Sequence, residues 1–164
     1  MRIAGLIQDS IVDGPGLRFV VFTQGCEMCC DGCHNPETQD FSGGTQTPVG
    51  EIISRMLGNP LTDGLTLSGG EPFMQAAECA KLAAAAKENG LSVWVYSGFT
   101  YEELTAKAQT DQAVKGLLLL ADVLVDGPFV SAQRTLSLKW RGSRNQRVLD
   151  VQASLTAGDA VEIA

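Results

Sequence analysis

The sequence predicts an α/β protein built as an open, partial (β/α) barrel. Segments typical of buried strands alternate with helical segments, which favours β-α-β units and a mainly parallel sheet. Glycine-containing turns follow several of the predicted strands. The chain has 164 residues, whereas a complete eight-unit barrel needs about 250. We therefore expect one domain over residues 1–164 and a barrel that stays open.

The elements are predicted from residue types that start, build and end them. A β-branched and aromatic run lies between two glycines at the first strand, and Thr47 with Pro48 is typical of a helix start. Thr100 and Glu103 have the spacing of a capping box. In chain order, strands are predicted at 17–23, 65–68, 92–97 and 122–125. Helices are predicted after Thr47 up to Gly58, over about 75–89, after Thr100, and up to Leu120.

Composition excludes several classes of function. Hydrophobic residues make up 45% of the chain and charged residues 19%, as in ordinary globular proteins. The longest apolar run, near Leu117, is too short to span a bilayer, and the first residues lack the apolar core of a signal peptide. The net charge of -7 argues against general affinity for nucleic acid. We expect no membrane span, no nucleic-acid partner and a cytoplasmic location.

Positive charge is concentrated near the carboxyl end of the sequence. One interpretation is a solvated basic surface. The other is a site for an anionic ligand or an acidic partner. Five of the twelve basic residues lie in this stretch, namely Arg134, Lys139, Arg141, Arg144 and Arg147.

Cysteine is crowded into one short segment. Four of the five cysteines lie between residues 26 and 33, and cytosolic thiols stay reduced, so a metal or cluster is favoured over disulfides. Three thiolates would leave one iron of a cubane open to bind a substrate. Spacing alone allows two triplets, with either Cys29 or Cys30 between Cys26 and Cys33. Cys79 lies among small residues of a predicted helix and is interpreted as a core residue.

A zinc knuckle is the main alternative interpretation of the cysteine segment. It would use three cysteines together with His34, the one histidine of the chain. This arrangement is disfavoured because the neighbouring residues Cys33 and His34 would have to ligate the same metal ion.

Other candidate residues follow the predicted strands directly. Ligands of parallel α/β sheets bind at the carboxyl ends of the strands. The segments Gly69-Gly70-Glu71, Ser97-Gly98 and Asp126-Gly127 each follow a strand. We expect them to meet the cysteine segment at one edge of the sheet, where glycines let backbone approach a ligand closely.

The cysteine segment resembles the signature loop of the radical S-adenosylmethionine enzymes. The resemblance rests on Cys26, Cys30 and Cys33 in a C-x3-C-x2-C pattern that continues as His34-Asn35-Pro36-Glu37-Thr38. It implies that these three cysteines hold a [4Fe-4S] cluster and that Cys29 is a bystander. It also implies S-adenosylmethionine as a cofactor. The residues that the resemblance assigns to its binding are His34, Asn35, Gly69, Gly70, Glu71, Ser97 and Asp126, with the glycine motif on the amino group and His34 near the adenine.

Flanking motifs resemble the glycyl-radical-enzyme activases. Asp13-Gly14-Pro15-Gly16-Leu17-Arg18 is similar to that branch. The segments 122–129 and 141–147 are similar to activating proteins of anaerobic ribonucleoside-triphosphate reductase. The resemblance implies that a low-potential donor reduces the cluster, that S-adenosylmethionine is cleaved, and that the 5′-deoxyadenosyl radical removes a hydrogen atom from a glycine. That glycine belongs to the large catalytic subunit of the reductase. No residue of this chain is expected to act as general acid or base.

Three other functions stay open on the sequence. The chain could activate a different glycyl radical enzyme. It could act on a small molecule, like 7-carboxy-7-deazaguanine synthase, without a protein partner. A third possibility is a non-catalytic iron–sulfur or zinc sensor module.

Overall fold

The computed structural model describes residues 1–163. Over that range one sheet contains seven strands: β1 (Arg2–Ser10), β2 (Arg18–Thr23), β3 (Thr45–Gln46), β4 (Gly64–Gly69), β5 (Ser92–Tyr96), β6 (Val123–Asp126) and β7 (Arg147–Asp150). The same range contains five α-helices: α1 (Val49–Leu57), α2 (Ala76–Glu88), α3 (Tyr101–Lys107), α4 (Gln112–Leu120) and α5 (Val151–Ala157).

The sheet is open and parallel at its centre. Its strand order is β3-β1-β2-β4-β5-β6-β7. Strands β2, β4, β5 and β6 pair in parallel, whereas β1, β3 and β7 join antiparallel at the edges. The two outermost strands, β3 and β7, are not paired with each other within the described range. This arrangement confirms the predicted α/β class and the open partial barrel.

The main core lies between the sheet and the helices. Side chains alternate along each strand, so Leu65 and Leu67 of β4 contact the helical layer while Thr66 faces the opposite side. On that opposite side Trp94 packs edge-on against Trp140, with 4.9 Å between ring centroids. Among residues 1–163, no helix combines the length and apolarity needed to cross a membrane.

Most predicted helix boundaries agree with the structure. The capping box is confirmed, because Thr100 accepts a hydrogen bond from the Glu103 backbone and the Glu103 side chain accepts one from the Thr100 backbone. The predicted start of α1 is one residue early. Pro48 is the N-cap, and the Thr47 hydroxyl bonds to the Thr45 carbonyl instead of capping the helix.

Arg18 connects the amino-terminal ends of the central strands through hydrogen bonds. Its side chain is fully buried, and burial lowers its pKa to about 10, so it stays charged at neutral pH. The guanidinium donates to the Thr66 hydroxyl at 3.0 Å, the Leu65 carbonyl at 2.6 Å and the Ser92 hydroxyl at 2.6 Å. Among the described residues it has no carboxylate partner. Carbonyl and hydroxyl oxygens of two neighbouring strands therefore balance its charge.

Replacing Arg18 by Met should lower the free energy of unfolding by about 3 kcal/mol, because several buried acceptors lose their donor. Urea denaturation of the anaerobically purified protein measures this change. The exposed Arg55 on α1 gives the control, and Arg55→Met should shift stability by less than about 0.5 kcal/mol. Equal stability of the two variants would contradict the proposed importance of the buried guanidinium.

Candidate functional site

A cavity lies at the carboxyl ends of the parallel strands. Loops that follow β2, β4, β5 and β6 meet there, as the strand order requires for parallel neighbours. Its lining combines thiols, glycines, polar side chains and two aromatic rings. The lining residues are Cys26, Met28, Cys30, Cys33, Thr38, Gln39, Ser68, Gly69, Gly70, Glu71, Tyr96, Ser97, Gly98, Gly127, Phe129 and Gln146.

The structure separates the cysteines into three groups. Cys26, Cys30 and Cys33 line the cavity as partly buried free thiols. Cys29 is exposed, lies outside the cavity wall and has a positive φ of 46°. Cys79 is fully buried on α2, in the main core. Only the triplet with Cys30 in the middle therefore faces a common space.

Backbone hydrogen bonds hold the base of the cysteine loop. The Gly25 N–H donates to the Thr38 carbonyl at 2.7 Å, and the Cys26 N–H donates to the Gln39 carbonyl at 3.1 Å. The loop after β4 joins the same network, because the Glu71 N–H donates to the Gly25 carbonyl at 2.9 Å. The first cysteine is thereby fixed next to the glycine motif.

Gly70 allows this close approach of two loops. A Cβ atom at this position would lie 2.4 Å from the Gly25 carbonyl oxygen, a distance at which backbone would have to move. Glycine is therefore required at this position for the packing of the two loops. The sequence had suggested only that it lets a ligand approach the backbone closely.

Glu71 is a buried carboxylate that connects two loops of the site. Its side chain is 1% exposed. One carboxylate oxygen accepts from the Phe73 N–H at 3.1 Å and the Ser97 hydroxyl at 2.9 Å, and the other accepts from the Gly98 N–H at 2.8 Å. Burial raises the pKa of Glu71 to about 7, and these hydrogen bonds oppose the rise. Ser97, also in the cavity wall, is held in place by this contact.

Three of the predicted cofactor residues lie outside the cavity wall. Asp126 is buried, but its carboxylate is bound by Arg147 at 2.6 Å and by the Tyr101 N–H at 2.7 Å. Asn35 lies in a separate surface groove beside Thr38. His34 packs behind the wall against Phe129, with 4.9 Å between ring centroids. Cofactor contact by these three residues stays a prediction, and the contact of His34 with Phe129 supports an aromatic residue of the wall.

The sequence prediction missed several residues of the wall. Met28 lies between the cysteines, where its side chain packs on Gly98, and Tyr96 ends β5 just before Ser97. Phe129 and Gln146 fall within the two carboxyl-terminal segments that resembled one branch of activases. The available signal for Phe129 was its position four residues after the end of a predicted strand, in the same loop as Asp126 and Gly127.

The donor set of the cavity fits an iron–sulfur cluster. Thiolates are the natural ligands of such clusters, and the three lining thiols are unpaired. Burial raises the pKa of the Cys26 thiol, so binding of a cationic metal centre would release its proton. Within residues 1–163, no three His, Cys, Asp or Glu side chains converge on a single-ion site.

The raised pKa of Glu71 predicts a pH-dependent stability. The ordinary value is 4.5 and the folded value about 7, so the folded state holds more protons between these values. Stability should therefore fall as pH rises from about 4.5 to about 7, by about 3 kcal/mol, and stay level above. Urea denaturation of cluster-free protein at pH 5 and pH 8 measures the fall.

Glu71→Gln should remove this pH-dependent loss of stability, because an amide does not titrate. The substitution also leaves the Gly98 N–H without its acceptor. The matched control is Glu51→Gln on the exposed surface of α1, which should keep the wild-type fall. The same pH dependence in Glu71→Gln as in wild type would show that another group causes it.

Comparison with known proteins identifies the family. A family model described as a 4Fe-4S single cluster domain matches residues 12–149. The anaerobic ribonucleoside-triphosphate reductase-activating protein of Vibrio cholerae is 36% identical over 144 residues, covering 83% of this chain and 89% of the relative. The pyruvate formate-lyase-activating enzyme of Clostridium pasteurianum is 36% identical over 112 residues, which cover 63% of this chain and 47% of that enzyme.

One solved structure shares part of the fold. The crystal structure of QueE from Escherichia coli matches with a TM-score of 0.43 and 18% identity, covering 60% of this chain and 52% of QueE. A similarity of that size carries no argument about function. The family model, in contrast, covers most of the chain, and the Vibrio cholerae relative matches over 83% of it. The chain belongs to the family of radical S-adenosylmethionine activating proteins that includes the anaerobic ribonucleoside-triphosphate reductase-activating proteins.

Proposed function

We propose that this chain generates a glycyl radical on the large catalytic subunit of anaerobic ribonucleoside-triphosphate reductase. The observation that carries the proposal is the single cavity in which three unpaired thiols face the Gly69-Gly70-Glu71 segment. The chain also matches 89% of the Vibrio cholerae activating protein but only 47% of the formate-lyase relative. The more extensive match favours the reductase as the partner.

The proposed cluster ligands are Cys26, Cys30 and Cys33. Three thiolates leave one iron of a cubane without a protein ligand, so a substrate can bind there. When bound and reduced, the cluster supplies the electron that cleaves S-adenosylmethionine, and the resulting 5′-deoxyadenosyl radical takes a hydrogen atom from glycine. The protein binds and orients the reactants, and no residue needs to transfer a proton.

Glu71 and the loop after β5 are the proposed cofactor contacts. The Glu71 oxygen that accepts from Gly98 has one hydrogen-bond donor among the described residues, so a lone pair remains for the ammonium group of the methionine moiety. Ser97 supports this carboxylate through its hydroxyl. Phe129 and Tyr96 supply aromatic surface in the same cavity, where an adenine ring can stack. His34 positions Phe129 from behind.

Other parts of the assignment are also proposals. Residues 1–164 are proposed to act as one radical S-adenosylmethionine domain, supported by the continuous sheet from β1 to β7. A cytoplasmic location is also proposed, because the cytosol would keep the three proposed ligand thiols reduced. The cluster potential that such chemistry needs calls for an external low-potential electron donor.

The function is tested by electron paramagnetic resonance. Dithionite-reduced protein is mixed with S-adenosylmethionine and the reductase subunit, and a glycyl radical signal should form together with 5′-deoxyadenosine. A mixture without S-adenosylmethionine is the control and should give no radical. Cofactor cleavage without a radical on the reductase would contradict this partner. Absence of cleavage by cluster-loaded protein would contradict an activase and favour a sensor module.

The middle ligand is tested by a matched pair of neighbouring cysteines. Cys30→Ser should reduce bound iron from about four per chain to below about one, because a cubane loses one of three thiolates. Cys29→Ser should keep the iron, since Cys29 lies outside the cavity. Iron and sulfide analysis after anaerobic reconstitution measures both.

Cys79→Ala is the control for cysteine replacement away from the cavity and should also keep the iron. Loss of iron in Cys29→Ser with retention in Cys30→Ser would move the ligand assignment to Cys29. Stoichiometric, tightly bound zinc in the anaerobic preparation would overturn the cluster assignment itself.

A further inference from the structure

The segment 127–147, here called the basic lobe, differs in charge from the rest of the chain. It contains five of the twelve Lys and Arg residues and none of the nineteen Asp and Glu residues. The chain as a whole has a net charge of -7. Positive charge is therefore concentrated in one segment of an otherwise acidic protein.

The basic lobe forms one wall of the cavity. Gly127, Phe129 and Gln146 belong to the lining. The lobe holds its own shape, because the Thr135 N–H donates to the Gly142 carbonyl at 3.0 Å and the Gln146 side chain accepts from the Gly142 N–H at 2.9 Å. Within the lobe Arg134 and Arg144 are brought close together, because Arg134 pairs with Ser143 and the Arg144 N–H donates to the Gln133 carbonyl at 2.9 Å.

The five basic residues of the lobe differ in the contacts that they make. Arg147 is paired with Asp126 and Glu102, at 2.6 Å and 2.8 Å. Arg141 donates to the Gln146 carbonyl at 2.9 Å, inside the lobe. The remaining three are exposed, and within residues 1–163 none of them forms an ion pair: Arg134, Lys139 and Arg144.

Exposed apolar side chains lie between two of these basic residues, Arg134 and Lys139, in the sequence. Leu136 is 88% exposed and Leu138 is 36% exposed. Protein interfaces combine apolar contacts with complementary charge at the rim. A small inorganic anion or a nucleotide phosphate would bind the charged side chains but would make no apolar contact with the leucines.

We propose that Arg134, Lys139 and Arg144 form the docking surface for an acidic segment of the glycine-bearing partner protein. This inference rests on the proposed function. The target glycine must enter the cavity, so the partner has to pass the wall that the basic lobe forms. An electron donor needs only to approach the cluster, and the cysteine loop beside it carries the acidic residues Glu27 and Asp31, which do not complement an acidic surface.

The test is a charge-reversal variant that carries Arg134→Glu, Lys139→Glu and Arg144→Glu. It should bind the reductase subunit at least about tenfold more weakly than wild type, because attraction becomes repulsion. The affinity of the cluster-loaded wild type should itself fall as salt rises from about 50 to about 300 mM, since exposed charges are screened. Isothermal titration calorimetry measures both.

The matched control reverses three exposed basic residues on the helical side, with Arg55→Glu, Lys81→Glu and Lys115→Glu on α1, α2 and α4. It changes net charge equally and should keep reductase affinity within about twofold. Dithionite-driven cleavage of S-adenosylmethionine without the partner should be equal in wild type and both variants. Dithionite also removes any dependence on a protein electron donor from the assay.

The outcomes separate the docking proposal from the proposed function. If wild type forms a glycyl radical and the lobe variant binds and activates the reductase equally well, the docking proposal is overturned while the function stands. The same follows if both variants weaken binding equally, because total charge would then be the cause. If ATP alone binds wild type but not the lobe variant, and reductase affinity is unchanged, the lobe is a nucleotide site and the proposal is also wrong. If wild type forms no radical on the reductase, the function fails and the docking proposal fails with it.

Discussion

The site depends on the parallel pairing of β2, β4, β5 and β6. Parallel strands end on the same edge of a sheet, so the loops that follow them have to meet. The cysteine loop, the glycine motif, Ser97 and Phe129 are up to about a hundred residues apart in sequence and share one cavity for this reason. Arg18 lies at the opposite, amino-terminal ends of these strands. Its hydrogen bonds to β4 and β5 hold the strands in register, away from the cavity.

Glu71 combines structural and ligand-binding requirements in one carboxylate. It holds the loops after β4 and β5 together through two hydrogen bonds, from Ser97 and Gly98, and it also lies in the cavity wall. A buried carboxylate without a cation is costly, which is why its pKa is raised to about 7. A positively charged ligand in the cavity would offset that cost. Removal of this side chain therefore affects loop geometry as well as ligand affinity, a coupling that the sequence motif alone did not indicate.

The sequence predicted the central fold well because strong local signals coincide there. The helix ends at Gly58 and Gly90, the capping box at Thr100 and the strands of the parallel core all have such signals. The antiparallel strands β1, β3 and β7 were not predicted, because β1 is only partly buried, β3 has two exposed residues and β7 has only two fully buried residues. Similarly, Asp126 follows a strand as a ligand residue would, but its pairing with Arg147 depends on a contact 21 residues away in sequence, which no local pattern reveals.

The central claim is that one cluster, held by Cys26, Cys30 and Cys33, binds S-adenosylmethionine at an open iron. Electron paramagnetic resonance of the reduced, cluster-loaded protein, recorded before and after adding S-adenosylmethionine labelled with ¹⁷O in its carboxylate, tests this claim directly. The account predicts a changed cluster signal and a resolved coupling to the labelled oxygen. An unchanged signal without coupling, at concentrations where the cofactor is bound, would contradict it.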